Sequence, residues 1–233
     1  MIELAEVSKN YVHRGGGVIH ALRSANVHVE RGDFVAVVGP SGSGKSTLLS
    51  VLGGMLAPSA GKVLLNNKSL YDMSIKERAR IRNTQLGFLF QSFNLVPWLT
   101  ALENVQLPLC LSNTEPKTRR GRAMELLNQF GLADRVNHKP SELSAGQQQR
   151  VAMARTLSMA PQLILADEPT GNLDPKSRDL VLNTLRELCD SGCAIVLVTH
   201  DSTISNAAQR ILSIADGNVV ESESHAIPGD SAA

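Results

Sequence analysis

Gly39-Pro40-Ser41-Gly42-Ser43-Gly44-Lys45-Ser46 sets a glycine, four intervening residues and then Gly-Lys-Ser directly behind the apolar run Phe34-Val35-Ala36-Val37-Val38. This is the pattern of a phosphate-binding loop. Glycines without Cβ let several backbone N–H groups turn toward one anion, Lys45 reaches the terminal phosphates of a nucleotide, and the Ser46 hydroxyl suits a Mg²⁺ ion. Ser41, Ser43 and Thr47 belong to the same candidate phosphate site. A turn with no ligand would account for Gly42 and Gly44 but leaves Lys45 and Ser46 unexplained. Thr47 to Leu52 reads as helix, so strand, loop and helix follow in the required order.

Working outward, Leu163-Ile164-Leu165-Ala166 and Ala194-Ile195-Val196-Leu197-Val198 are, like Phe34 to Val38, continuous apolar runs without alternation. Strands covered on both faces have this composition. They are expected as parallel neighbours in one central sheet, with ligand-binding groups gathered beyond the strand ends. The run from Leu163 leads into Asp167 and Glu168. Two adjacent carboxylates at the end of a buried strand are costly without partners. Beside a phosphate loop those partners are a metal ion and a polarised water: Asp167 holds Mg²⁺ through its water shell, and Glu168 orients or deprotonates the attacking water.

Ile2-Glu3-Leu4-Ala5-Glu6-Val7 and Val27-His28-Val29 alternate, with Gly15-Gly16-Gly17 between them, which predicts an antiparallel, partly exposed lobe. From Leu99 to Ala160 the pattern turns helical, with Ala123, Leu126, Leu127 and Phe130 on one face. An inserted helical subdomain is therefore expected over residues 95–160, with 1–94 and 161–221 as the nucleotide-binding core and 222–233 as a frayed tail. Leu180, Val181, Thr184, Leu185 and Leu188 predict a further amphipathic helix that Gly192 ends.

The chain has 233 residues, 42% apolar and 19% charged, enough for one globular unit with an insertion. No apolar run approaches the roughly 18 residues of a membrane-spanning helix, and the acidic start with Glu3 and Glu6 does not read as a signal peptide. Cys110, Cys189 and Cys193 form no CxxC pair and are read as reduced thiols. A net charge of +1 offers no field for nucleic acid. The local run Lys117, Arg119, Arg120, Arg122 is read first as a solvated helix face, with lipid headgroups the alternative.

So far the residues specify a nucleotide triphosphatase. Leu143-Ser144-Ala145-Gly146-Gln147-Gln148-Gln149-Arg150 resembles the signature motif of ABC ATPases, which usually carries a second glycine where this chain has Ala145. Gln91, after Leu86 to Phe90, resembles the Q-loop glutamine that senses metal and γ-phosphate. Gly171-Asn172-Leu173-Asp174 resembles the D-loop, with Asp174 at a dimer seam, and His200 resembles the switch histidine. Tyr11 matches the position whose ring stacks on adenine, with a core-covering aromatic as the alternative. The resemblance runs from Ile2 to about Val220. Gly87 to Leu95, Leu99 to Val105, Glu142 and the long segment between Tyr11 and His20 are more narrowly similar to the LolD, MacB and FtsE group.

What the resemblance implies is an α/β P-loop NTPase of the ABC nucleotide-binding type: a mostly parallel central sheet, an antiparallel β lobe and an inserted helical subdomain. It implies ATP and Mg²⁺ as cofactors, and a second copy of the chain paired head to tail. In that pair Ser144, Ala145, Gly146 and Gln147 of one chain close on the phosphates held by the other. It further implies an integral-membrane permease as partner and a place on the cytoplasmic face of the membrane. Trp98 is expected near the permease surface, with core packing the alternative. A soluble ABC ATPase, or an ATP-dependent assembly switch, is the alternative function.

Overall fold

Strands whose two faces are both apolar must be covered on both sides, and the computed structural model shows how this chain does it. It describes residues 1–12, 16–206 and 208–223. The predicted glycine-rich connection therefore lies partly outside the described residues, at 13–15, as do 224–233 of the predicted tail. In chain order the elements are β1 (Ile2–Val12), β2 (Val18–Val29), β3 (Phe34–Val38), α1 (Lys45–Leu52), β4 (Ala60–Leu65), β5 (Lys68–Ser69), α2 (Ile75–Gln85), β6 (Leu86–Phe90), α3 (Ala101–Leu111), α4 (Pro116–Gln129), α5 (Ala145–Leu157), β7 (Leu163–Asp167), α6 (Pro175–Asp190), β8 (Ala194–Val198), α7 (Ser202–Ser205), β9 (Arg210–Ala215) and β10 (Asn218–Glu223).

The central sheet runs β10-β9-β3-β8-β7-β6 and is parallel except for β10 against β9. Its side chains divide by alternation. Phe34, Ala36, Ile164, Ala166, Ile195 and Leu197 enter one apolar cluster with residues of α3, α4, α5 and α6. Val35, Val37, Leu163, Leu165, Val196 and Val198 enter a second cluster with α1 and the antiparallel sheet. That sheet has the order β2-β1-β4-β5. Its strands β4 and β5 come from beyond the phosphate loop, and no sequence expectation covered them. Exposed Ala60, Gly61 and Lys62 break the alternation that would have marked β4.

Two expectations need correction. Ser222 and Glu223, expected in a frayed tail, continue β10 in register with Ile211 and Arg210. Arg210 ion-pairs with Glu221 and Asp33, so the hairpin is held beyond the last apolar residue. In α6, Leu180 is 41% exposed, and the buried stripe is Val181, Leu182, Leu185 and Cys189. Cys189 and Cys193 are free and buried, and burial pushes the Cys193 thiol up to about 11, so it packs as a small apolar side chain.

Tyr71 staples the segment after β5 to the end of α1: its hydroxyl lies 2.7 Å from the Val51 carbonyl and 2.6 Å from that of Leu56. Burial pushes its pKa up to about 12. A phenol favoured as neutral in the fold contributes stability that is full below its unfolded pKa of about 10 and lost as pH rises toward 12. Tyr71→Phe is expected to lower unfolding stability by about 1 kcal/mol at pH 7. It should also flatten the alkaline decline, as measured by urea unfolding at pH 7 and pH 10.5.

Candidate active site at the carboxyl edge of the sheet

Register brings the predicted residues to one edge. Phe90 pairs with Asp167, Asp167 with Val198, and Val37 with Val198. The residues that follow, Gln91, Glu168, Thr199 to His200 and the loop from Gly39, therefore leave the sheet side by side. Gly39 and Gly44 both have positive φ, at 151° and 114°. A Cβ on either would run into a backbone carbonyl, of Ile214 and of Ala21 respectively, so only glycine serves there. Gly44 is the N-cap of α1, which directs that helix's free N–H groups into the loop.

Tyr11, Gly42, Gly44, Lys45, Ser46 and Thr47 line a shallow depression of about 240 Å³, with Ile19 and Ala21 of β2 at its side. Lys45 Nζ donates to the carbonyls of Gly39 and Pro40 at 2.9 Å each, which holds a positive charge across the mouth of the loop. Ser46 Oγ donates to Asp167 Oδ2 at 3.0 Å. A hydroxyl and a carboxylate side by side are hard oxygen donors of the kind Mg²⁺ takes, with waters and phosphate oxygens completing its shell. The Tyr11 hydroxyl is 3.5 Å from Thr47 Oγ1, and the ring is 41% exposed and flanked by Lys9. The core-covering reading of Tyr11 is thereby excluded.

Glu168 stands one residue past the strand with φ of 47°, the left-handed region that a non-glycine residue enters at a cost. Its N–H donates to the Val198 carbonyl at 3.0 Å, and its Oε1 lies 2.8 Å from His200 Nδ1. His200 is mostly exposed while Glu168 is largely covered. Gln91 packs on Gly171, and Asn172 Nδ2 donates to the Gln91 carbonyl at 3.1 Å, joining the loops after β6 and β7.

Ser144, Gly146 and Gln147 lie elsewhere, at the start of α5. Ser144 Oγ accepts from the Gln147 N–H, and Gln147 Oε1 accepts from the Ser144 N–H, a reciprocal cap. Asp174 caps α6 in the same neighbourhood, and the Ser177 hydroxyl and N–H hold its carboxyl below the usual range. A Cβ on Gly146 would fall 2.5 Å from Ser177 Oγ, so the two helix starts abut. Ala145 is exposed and in ordinary helical backbone, so its methyl meets no obstacle within the chain. Among the described residues no hydrogen bond joins the start of α5 to the phosphate loop.

Two residues at work here, Arg155 and Ser177, belong to no motif read from the sequence, and a third, Gln149, stands in the signature stretch with no role assigned to it. Arg155 of α5 donates to the carbonyls of Asn94 at 2.6 Å and Phe93 at 2.9 Å, gripping the two left-handed residues of the loop after Gln91. Ser177 bridges the D-loop aspartate to Gly146. Gln149 is fully buried, and its Nε2 donates to the Pro169 carbonyl at 2.6 Å. The available signal was helical spacing: Gln149 falls in line with Ala152, Met153 and Thr156, a polar residue in a buried stripe. Trp98 is 72% exposed, which removes the core-packing reading.

A parallel sheet with a glycine-rich loop running from β3 into α1, and an acidic pair ending a neighbouring strand, defines the phosphate-loop nucleotide triphosphatases. The comparisons narrow the class. The family model described as ABC transporter matches residues 22–171. An ABC transporter ATP-binding protein of Thermotoga maritima is 46% identical over 94% of this chain and 93% of its own length. The macrolide export ATP-binding/permease protein MacB of Bdellovibrio bacteriovorus is 44% identical over 96% of this chain, which spans 34% of that protein. A dimeric solved structure of the ATP-binding cassette MJ0796, of Methanocaldococcus jannaschii, bound to ADP and Pi matches with a TM-score of 0.89 and 42% identity over 97% of this chain and 100% of that one. The chain belongs to the ABC transporter family and is an ATP-binding subunit with ATPase activity. Among the described residues no helix is long and apolar enough to cross a membrane.

Proposed function

We propose that two copies of this chain close around two ATP molecules and drive a separate membrane permease of the LolD, MacB and FtsE kind. One observation carries the reading. The chain holds a phosphate loop with its acidic edge, and also a capped helix start, exposed at Ser144 and Ala145, that makes no hydrogen bond to that loop among the described residues. A helix N-terminus favours an anion, and a second copy turned head to tail would supply one. In this arrangement Ser144, Ala145, Gly146 and Gln147 face the γ-phosphate held by Gly39 to Thr47 of the other copy, and Asp174 lies at the seam. The shallowness of the depression in a single chain and the dimeric state of the MJ0796 cassette support it.

Within each site Ser46 and Asp167 would hold Mg²⁺, with Gln91 near its shell, and the metal would offset charge on the phosphates. Glu168 takes the proton of the attacking water, and His200, in hydrogen-bond contact with Glu168, positions that water against the γ-phosphate. Tyr11 offers its exposed ring to adenine.

Residues 95–160 form the moving helical subdomain and residues 1–94 with 161–223 the core. Between them, against β6, lies a cleft of about 500 Å³ with Met55, Phe88, Phe90, Leu111 and Arg155 on its walls. Its apolar walls and its place beside the Gln91 loop suit a helix of the permease, with exposed Trp98 further along the same loop. The subunit then works from the cytoplasmic face of the membrane.

The test is sedimentation of the Glu168→Gln variant with ATP and Mg²⁺. ATP is expected to convert monomer to dimer, and adding Ser144→Arg is expected to abolish the shift, because a long cation would occupy the γ-phosphate position and break the α5 cap. ATP-dependent dimers that persist with Ser144→Arg would exclude the composite site.

A further inference from the structure

We infer that Gln149, a buried residue of α5, is a positioning residue for Glu168; this rests on the reading of Glu168 as the base. Glu168 must hold its carboxylate toward the water from a left-handed backbone, φ 47°, which ordinary sequences leave unless neighbouring contacts determine it. On the strand side the Glu168 N–H bonds the Val198 carbonyl, and on the far side the Gly171 N–H bonds the Glu168 carbonyl at 3.2 Å. Between these sits Pro169, buried and without an N–H, whose carbonyl needs a donor from elsewhere. Gln149 Nε2 is that donor at 2.6 Å. The amide nitrogen, not the oxygen, must face the carbonyl, since the carbonyl only accepts.

Where the donor comes from gives the contact its meaning. Gln149 lies a little over one turn from Ser144 on the same helix, and it supplies the hydrogen bond from α5 to the Glu168 turn among the described residues. A shift of α5, such as contact at its Ser144 end would produce, is thus delivered to the backbone next to the base. The gripping of the Phe93 and Asn94 carbonyls by Arg155, further along α5, keeps the helix in register with the Gln91 loop.

Gln149→Met is the probe, because methionine matches the length of glutamine, packs in an apolar site and donates no hydrogen bond. ATP affinity, ATP-driven pairing and KM are expected to stay within about two-fold of the parent. The kcat is expected to fall by roughly ten- to a hundred-fold, the scale of a misplaced reacting group. The same change is then made in the Glu168→Gln background and hydrolysis followed in single turnover. A brace that acts through the Glu168 carboxylate has nothing left to act on there, so no further loss is expected. An equal fold-loss in both backgrounds, or an unchanged kcat in the parent background, overturns the inference. Should Glu168→Gln by itself leave turnover unchanged, the base assignment fails first, and the two failures are distinct.

Gln149→Glu gives an independent reading without loss of size. Its protonated carboxyl can donate to the Pro169 carbonyl and its ionised form cannot. Burial favours the protonated form, so the kcat of this variant is expected to stay above that of Gln149→Met, and a loss as large as that of Gln149→Met overturns the proposal.

Discussion

Glu168→Gln is expected to lower steady-state ATP turnover by roughly a hundred- to ten-thousand-fold, the range for loss of a positioned general base. ATP affinity should be retained. The amide keeps the size and shape of the carboxylate and can still reach His200 Nδ1, which in the parent lies 2.8 Å from Glu168 Oε1. It cannot take the proton of the attacking water. Since hydrolysis is what removes the γ-phosphate, a subunit that binds ATP without cleaving it should accumulate in its ATP-bound form. Phosphate release measured beside equilibrium binding of a fluorescent ATP analogue separates the two effects. Undiminished turnover would remove Glu168 from the chemistry and leave His200 or a water-borne base in its place.

Lys45→Ala should show the opposite signature, a loss of binding. The ammonium bridges the carbonyls of Gly39 and Pro40 at 2.9 Å each and sets a full positive charge over the anion cradle. Charge-assisted hydrogen bonds are worth about 1.5–3 kcal/mol, which converts to a roughly ten- to hundred-fold weaker affinity. Turnover at limiting ATP should fall at least as far. The variant also loses two bonds that close the loop, so its thermal unfolding must be followed in parallel. A weakened affinity with an unchanged midpoint assigns the effect to phosphate, whereas unchanged affinity takes Lys45 out of the site. Sedimentation discriminates the two variants: Glu168→Gln should pair with ATP, and Lys45→Ala should not at the same nucleotide concentration.

The phosphate loop was legible from residues alone because its requirements are local. Gly39 and Gly44 hold backbone angles that side chains refuse, and Lys45 and Ser46 follow at covalently set distances. The strands of the central sheet were legible for a related reason, since Val35 and Ala36 are both apolar only if both faces of β3 are covered. The antiparallel lobe was seen only in part. Its strand β4 pairs with β1 across a long stretch of chain and carries no alternating pattern of its own.

In the candidate site the same division holds. Asp167, Glu168, Gln91 and His200 were named from strand ends and motif order, but their meeting depends on the register that sets Phe90, Asp167 and Val198 level. Arg155 and Ser177 were not named and Gln149 was given no role, because each works through a backbone carbonyl or a neighbouring helix start remote in the chain. Such a partner leaves no mark on the spacing of the residue that bonds it.

By itself, then, the sequence determined the phosphate loop, the doubly covered sheet, the order of the motifs and the kinship with ABC ATPases, all consequences of short-range geometry and of the burial that apolar runs demand. Only the tertiary structure decided that Trp98 is exposed, that Ala145 meets no obstacle, that Ser222 and Glu223 continue a strand and that α5 bonds to the turn behind Glu168. Those outcomes depend on which surfaces meet across the fold. Register, helix rotation and the pairing of buried polar groups fix that, and they are settled jointly by the whole chain.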